Sequence, residues 1–437
     1  MNSHTTQFYM GLMARIRQLL ESDEFKQRHR TSVKAFCRER ILTFTLTILF
    51  LLNMVKHATQ DELDEFFKVL HNDKVAQRIV SKSAFTQARA KLKYQAFIEL
   101  NDAQVAYFYE HVQEPQLWYG LRLLVIDGSM ADVPNTEDIR DHFGVWQPQS
   151  GGLCAKARVS QLYDVLNNVT LEAIIAPKSL GERVLAERHL ERVGPGDLLI
   201  MDRGYPAFWL FAAIRAKQAD FCARLSVTDW TVAKTFVASG QKQQVVALQP
   251  GYEARQACRQ RGLPIEPIRV RLIRVELPTG EIEVLATSLL DEVRFPHATF
   301  QALYHQRWPV EEDYKVIKSR LEVENWNGKS VTAVYQEFHA SVFSKNLAAI
   351  LAQPAQRVVD QRYEHRQYAY QINLTNLISK MKDTIVYLLH DTDIWAILHT
   401  LWAQMIKTVE PIRPGRSFPR QKRVKPKRFV MNYKAVR

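Results

Sequence analysis

Three rhythms of apolar and polar residues divide this chain. From residue 7 to about 115, apolar residues recur at helical spacing, as in Leu63, Phe66, Phe67 and Leu70, which predicts amphipathic helices. The run from Ile41 to Val55 is apolar almost throughout, yet it carries Thr43, Thr45, Thr47 and Asn53. It is too short for a bilayer-spanning helix and predicts a buried core helix instead. Ser81 supplies a capping hydroxyl for a further helix, along which Lys82, Arg89, Lys91 and Lys93 are strung. Those cations suit a DNA backbone and suit an ordinary basic surface equally well.

The second rhythm begins at Leu121. Leu121-Arg-Leu-Leu-Val-Ile126 is a short, β-forming run that stops abruptly at Asp127-Gly128-Ser129. Near-continuous hydrophobicity of this kind predicts a strand covered on both faces. Val159–Val165 and Val169–Ile175 flank Asn167-Asn168 and predict a hairpin. Residues 181–192 read as a helix. Asp197-Leu-Leu-Ile-Met201 is another buried-type strand, again closed by an acid in Asp202-Arg203-Gly204-Tyr205, and a helix follows from Pro206 to Lys217. Two carboxylates therefore stand at the carboxyl ends of two core strands, where α/β sheets bind ligands. Asp-Gly and Asp-Arg-Gly are also ordinary turn sequences.

Residues 220–290 read as mostly β. Phe236-Val237 and Gln244–Leu248 look extended, and Ile268–Leu277 and Glu281–Ala286 bracket Pro278-Thr-Gly280 as strand, turn and strand. Trp230 and Lys234 could stack on or clamp a base there. The third rhythm is helical again, from Val331 to Glu410. No acid follows Glu410: Arg413, Arg416, Arg420, Lys422, Arg423, Lys425, Lys427, Arg428, Lys434 and Arg437 are interleaved with Pro414, Pro419 and Pro426. That composition predicts an extended basic tail suited to sequence-independent phosphate contact.

Charge sharpens this picture. The 437 residues carry a formal net charge of +13, at 46% hydrophobic and 24% charged, so the chain is globular and basic enough to meet a polyanion, nucleic acid first among them. Cys37, Cys154, Cys222 and Cys258 lie far apart, which speaks against a zinc site or a disulfide frame and for a reducing compartment. The first residues lack the order of a secretory signal.

The stretch Tyr304-His-Gln-Arg307-Trp-Pro-Val-Glu311 through Lys318 concentrates the chemistry. At α-helical pitch its hydroxyl, guanidinium, carboxylate and ammonium share an arc of roughly 60°. Together they suit a phosphate with a metal beside it; a solvated face of i,i+4 pairs would look the same. Pro309 argues for a helix start near Trp308, in which case Tyr304 and Arg307 lie on a preceding turn.

Asp127, Asp202 and Glu311 gain meaning jointly. Two follow strands, and one sits on a helix after the strand Val284–Leu290, the ribonuclease-H-like arrangement of a three-carboxylate metal site. In-line phosphodiester cleavage uses two divalent ions about 3.5–4 Å apart, and Mg²⁺ needs few carboxylates because phosphate oxygens and waters complete its shell.

These residues resemble the DDE transposases of bacterial insertion sequences, the IS-four-type branch with a Tyr–Arg–Glu–Lys signature. The resemblance runs from about Ser81 to Phe338. It rests on Ile126-Asp127-Gly128-Ser129, Tyr163-Asp-Val-Leu, Asp197 through Tyr205, and Tyr304-x2-Arg307-x3-Glu311-x6-Lys318. It implies that Asp127, Asp202 and Glu311 are the catalytic, metal-binding triad for two Mg²⁺ or Mn²⁺ ions, and that Tyr304, Arg307 and Lys318 contact DNA beside the cut phosphate. It further implies a transposase that binds the terminal inverted repeats of its own element, cleaves them and joins the 3′-OH ends to target DNA. A homodimer on double-stranded DNA would do this in the bacterial cytoplasm at the nucleoid, with no membrane and no small-molecule cofactor. Alternatives are a ribonuclease-H-like nuclease without strand transfer and a non-cutting DNA-binding derivative. Weaker candidates for DNA contact are Trp230, Lys82, Arg89, Arg420, Lys422 and Arg423.

The expected architecture is thus α/β, a ribonuclease-H-like core with a β-rich insertion and helical flanks. Its divisions are a helical, DNA-binding region (1–118), the first part of the core (119–219), the insertion (220–283), the remainder of the core (284–335), a helical region (336–410) and the tail (411–437).

Overall fold

The computed structural model describes residues 3–38, 40–147, 152–277, 279–390, 393–413, 429 and 434–435. The chain forms two compact units: one of residues 1–113, 132–156 and 315–437, the other of residues 114–131 and 157–314.

The first unit is mainly helical. Its N-terminal helices are Ser3–Glu21, Asp23–His29, Phe44–Leu52, Thr59–His71, Lys82–Arg89 and Gln95–His111. The apolar run after Ile41 is the helix Phe44–Leu52, started by Thr43, whose hydroxyl accepts from the Leu46 N–H, and buried along most of its length. It packs against the long helix Val331–Tyr363, which also meets Gln95–His111 and Ile394–Lys407. An apolar helix that is wrapped by other helices needs no bilayer. Among the described residues no helix is long and apolar enough to cross a membrane. Ser81 caps Lys82–Arg89 as expected, accepting from the Ala84 N–H at 3.2 Å.

The second unit is built on a sheet. The strands of that sheet are β1 (Arg122–Asp132), β2 (Val145–Trp146, which falls in the first unit), β3 (Cys154–Asp164), β4 (Val169–Pro177), β5 (Asp197–Met201), β6 (Asp220–Leu225), β7 (Gln243–Leu248), β8 (Ile268–Glu276) and β9 (Ile282–Thr287). The order is β2-β3-β1-β5-β6-β9-β8-β7, with β4 pairing β3. β1, β5 and β6 are parallel, and β9, β8 and β7 continue antiparallel. Two of the parallel strands read as unbroken apolar runs: Leu123–Ile126 and Leu198–Met201 have no exposed side chain, as strands covered on both faces require.

The predicted hairpins are present. β3 and β4 pair antiparallel around Asn168, whose φ of 56° lies in the left-handed region that Asn tolerates. Asp164 braces that turn by accepting from the Leu166 and Asn167 N–H groups. The stretch after residue 220 departs from the mostly β reading, because it also holds the helices Thr231–Ala238 and Tyr252–Gln260. Phe236 lies in the first, buried together with Ala233 one turn away; a two-residue apolar pair does not distinguish a period of 2 from one of 3.6. The expected α/β class is what the chain adopts, with a mixed sheet of parallel and antiparallel strands.

Candidate active site

β1 does not stop at Asp127 as the end of its apolar run suggests but continues to Asp132, because polar residues can extend a strand past its buried stretch; Asp202 follows the last residue of β5. The β1–β5 register aligns the two acids. Arg122 pairs with Asp197 and Val125 with Ile200, so continuing the same offset sets Asp127 level with Asp202. Neighbouring strands lie about 4.8 Å apart, and residues at matching register share a face. Both carboxylates therefore issue side by side from the carboxyl end of the parallel pair.

Glu311 comes from the helix Trp308–Lys315. Pro309 sits in its first turn, where a missing N–H costs nothing. That helix is tied to β1 by Tyr314, whose hydroxyl donates to the Asp127 carbonyl at 2.8 Å. Tyr314 is one turn beyond Glu311, so the same bond sets the height of the acid. The Asp127 carboxyl is pushed up to about 6, chiefly by burial; Arg307 opposes the shift, and Asp202 and Glu311 add to it. Asp127 therefore lies within electrostatic reach of both Asp202 and Glu311, inside one unit.

Arg307 balances them. Its Nη2 donates to Glu311 Oε1 at 2.8 Å, while its Nε is buried with no hydrogen-bond partner among the described residues. Tyr304 lies near enough to sense Arg307 and Asp202, and burial raises its hydroxyl pKa. The continuous helical arc does not form: the helix Phe300–His305 ends before Arg307, which occupies the turn ahead of Trp308. Lys318 falls on the π-helical turn Val316–Arg320 in the other unit, so a 3.6-residue phase does not carry to it. Its ammonium is 4.0 Å from Glu324, and burial lowers its pKa against the pull of Glu324 and Asp132.

The weaker candidates separate clearly. Arg89, read as an outward cation, is buried: Nη1 meets Glu337 Oε1 at 2.9 Å, Nε meets Gln336 Oε1 at 3.0 Å, and Nη2 reaches the Ala333 carbonyl. It offers no free charge to DNA. Lys82 is exposed at the start of the same helix. Trp230 is half-buried at a helix start, tilted against Phe211 at 6.0 Å. Arg420, Lys422 and Arg423 lie outside the described residues. Trp308, used in the sequence only to mark a helix start, is 50% exposed, with the Arg307 guanidinium 5.4 Å from its ring. Its free face could stack on a base.

Two more charged side chains stand at this end of the sheet. Glu182 begins the helix Glu182–His189, and Arg158 Nη1 donates to its Oε1 at 2.5 Å. A lone Glu in a helix gives no pattern to find.

Oxygen donors alone suit Mg²⁺ or Mn²⁺. Among the described residues no three Asp, Glu, His or Cys side chains are drawn together tightly enough to hold an ion unaided, and Glu311 is engaged by Arg307. A Mg²⁺ ion asks less of a protein than that, since one or two carboxylates suffice when phosphate oxygens and waters complete its shell.

Fold and sequence together describe an α/β protein with acids on adjacent parallel strands or directly after them. A family model described as a transposase DDE domain matches residues 118–347, more than half of the 437-residue chain, and the chain belongs to that family. It is 26% identical over 245 residues to transposase InsG of insertion sequence element IS4 from Escherichia coli strain K12, a match covering 56% of this chain and 54% of that protein. The match thus spans about half the length of that relative. A piggyBac transposase solved by cryo-EM in a synaptic complex with hairpin DNA aligns over 93% of this chain and 87% of its own, with a TM-score of 0.46 and 11% identity.

Proposed function

We propose that this chain binds the terminal inverted repeats of an insertion sequence, cleaves them with divalent metal ions and transfers the freed 3′-OH ends to target DNA. What supports the reading is the β1–β5 register, which carried two residues past Val125 and Ile200 brings Asp127 level with Asp202, together with the influence of Asp202 and Glu311 on the Asp127 carboxyl. Asp127, Asp202 and Glu311 would hold two Mg²⁺ or Mn²⁺ ions. Such ions supply activation of the attacking oxygen and charge stabilisation on the leaving oxygen.

The protein's own groups do the rest. Asp127 would be held by β1 itself and Asp202 by the turn directly after β5. Arg307 holds Glu311 in the metal-free protein and, once that carboxylate turns to a cation, can fork onto a phosphate. Tyr304 and Lys318 would add contacts to the DNA backbone. The net charge of +13 supplies long-range attraction to DNA, and the basic tail would add phosphate contacts. Two ends must be processed together, so a homodimer assembled on DNA is expected, acting in the cytoplasm on the nucleoid.

The test uses duplexes ending in the inverted repeats that flank the gene. With Mn²⁺ the chain should nick them at the repeat boundary, and pre-cut ends should become joined to a plasmid. Nicking without joining would leave a nuclease. Binding with neither would leave a DNA-binding derivative.

A further inference from the structure

Glu182 lies closer to Asp127 and Asp202 than its place on a separate helix suggests. A Cβ built on Gly128, the residue after Asp127, would come within 3.3–3.4 Å of the Glu182 Cγ, Cδ and Oε1 atoms. One built on Gly204 would sit 3.1 Å from Asp202 Oδ1 and 3.9 Å from Glu182 Oε2. The carboxylates of Glu182 and Asp202 therefore reach toward the same point, over glycines that leave room for them. Arg183 fastens the helix start to this turn, its Nε donating to the Gly204 carbonyl at 3.0 Å.

A second observation points into the same space. Tyr205 is 1% exposed and its hydroxyl has no hydrogen-bond partner among the described residues. The charges it senses are Asp127, Glu182, Asp202 and Arg158. A buried hydroxyl left without a partner is destabilising, so it marks a place where a ligand or its water belongs. Arg158 is also incompletely used: Nη1 holds Glu182, but its buried Nε has no partner among the described residues.

We propose that Glu182 is a fourth carboxylate of the cation site and that Arg158 holds it in reserve. The inference rests on the metal-site reading given above. Without a cation, Arg158 offsets the charge of an acid crowded against Asp202. When a divalent ion arrives it supplies that offset instead, and Glu182 turns to the ion directly or through a bound water that Tyr205 can also meet. Arg158 is then released toward phosphate. Arg158 and the cation thus compete for one carboxylate.

Competition leaves a signature that needs no catalytic assay. Mn²⁺ affinity is read from the free-ion signal in electron paramagnetic resonance, on the full chain without DNA. Glu182→Gln should weaken binding about tenfold, the scale on which supporting groups act at metal sites. Glu187→Gln, which removes the same charge from the same helix, should stay within about twofold. Arg158→Gln should tighten binding a few-fold when Glu182 is present and change it little in the Glu182→Gln background, a coupling that a through-space field alone would not produce. Tyr205→Phe, which removes only the hydroxyl, should weaken binding measurably in a chain that still folds. Wild-type affinity in Glu182→Gln, or an equal Arg158→Gln gain in both backgrounds, overturns the proposal. If Asp127→Asn binds Mn²⁺ like wild type, the metal-site reading itself fails.

Discussion

Each unit carries an Arg–Glu pair, and the two are built for opposite purposes. In the helical unit Arg89 spends all three guanidinium nitrogens on Glu337, Gln336 and the Ala333 carbonyl, with both charged side chains under 10% exposed. Glu337 is equally occupied, accepting from the Asn327 and Gly328 N–H groups. In the sheet unit Arg307 makes one bond to a Glu311 that is 28% exposed and leaves its Nε unused. A buried pair survives when every donor and acceptor is satisfied. A pair with spare bonding capacity and an open side is one that a ligand can break. The first is architecture and the second is poised for exchange.

The sharpest way to break this comparison is to remove each arginine. Arg89→Ala should cost about 3–5 kcal/mol of folding stability in chemical denaturation, because Glu337 is left charged and buried. Arg307→Gln should cost under about 1 kcal/mol while lowering DNA cleavage at least about tenfold, a loss of 1.4 kcal/mol or more in the transition state. Similar stability losses from both would show that the pairs do not differ.

A smaller effect concerns Asp127. Its carboxyl titrates near 6 in the fold against about 3.9 in an unfolded chain. Between those values the native state holds the extra proton, so stability falls as pH rises from about 4 to 6. Asp127→Asn should therefore stabilise the metal-free protein by about 1–3 kcal/mol at pH 7.5 and by nothing below pH 4. Denaturant titrations at the two pH values read this directly. Excess Mn²⁺ should erase the advantage by stabilising only the wild type.

The smallest effect separates two cations of one helix. Lys82 is exposed where Arg89 is not. Lys82→Ala should change stability by less than about 0.5 kcal/mol. If Lys82 touches phosphate, the slope of log affinity for DNA against log salt becomes shallower by about 0.9. An unchanged slope removes Lys82 from the DNA surface.

What the sequence could reveal followed from how local each signal was. Asp127 and Asp202 stood out because unbroken apolar runs ended on them, and parallel pairing then set them level. The Asn167-Asn168 turn was readable because Asn tolerates a positive φ. Arg89 was misread although its phase held the answer: it lies four residues after the buried Phe85, on the same helical face. The arc from Tyr304 to Lys318 breaks before Trp308, where Pro309 announces the helix start, and again at the π turn, which no residue count announces. Tyr314, Arg158 and Glu182 were invisible because their roles depend on partners 187 or 24 residues away.

The central claim, that Asp127, Asp202 and Glu311 share divalent ions, is tested most directly by anomalous diffraction from crystals of the chain with end DNA and Mn²⁺. Peaks bound by oxygens of Asp127 and Asp202, with Glu311 turned from Arg307 toward an ion, are the expected result. Saturating Mn²⁺ with no peak at these carboxylates, or with peaks only elsewhere, would contradict it.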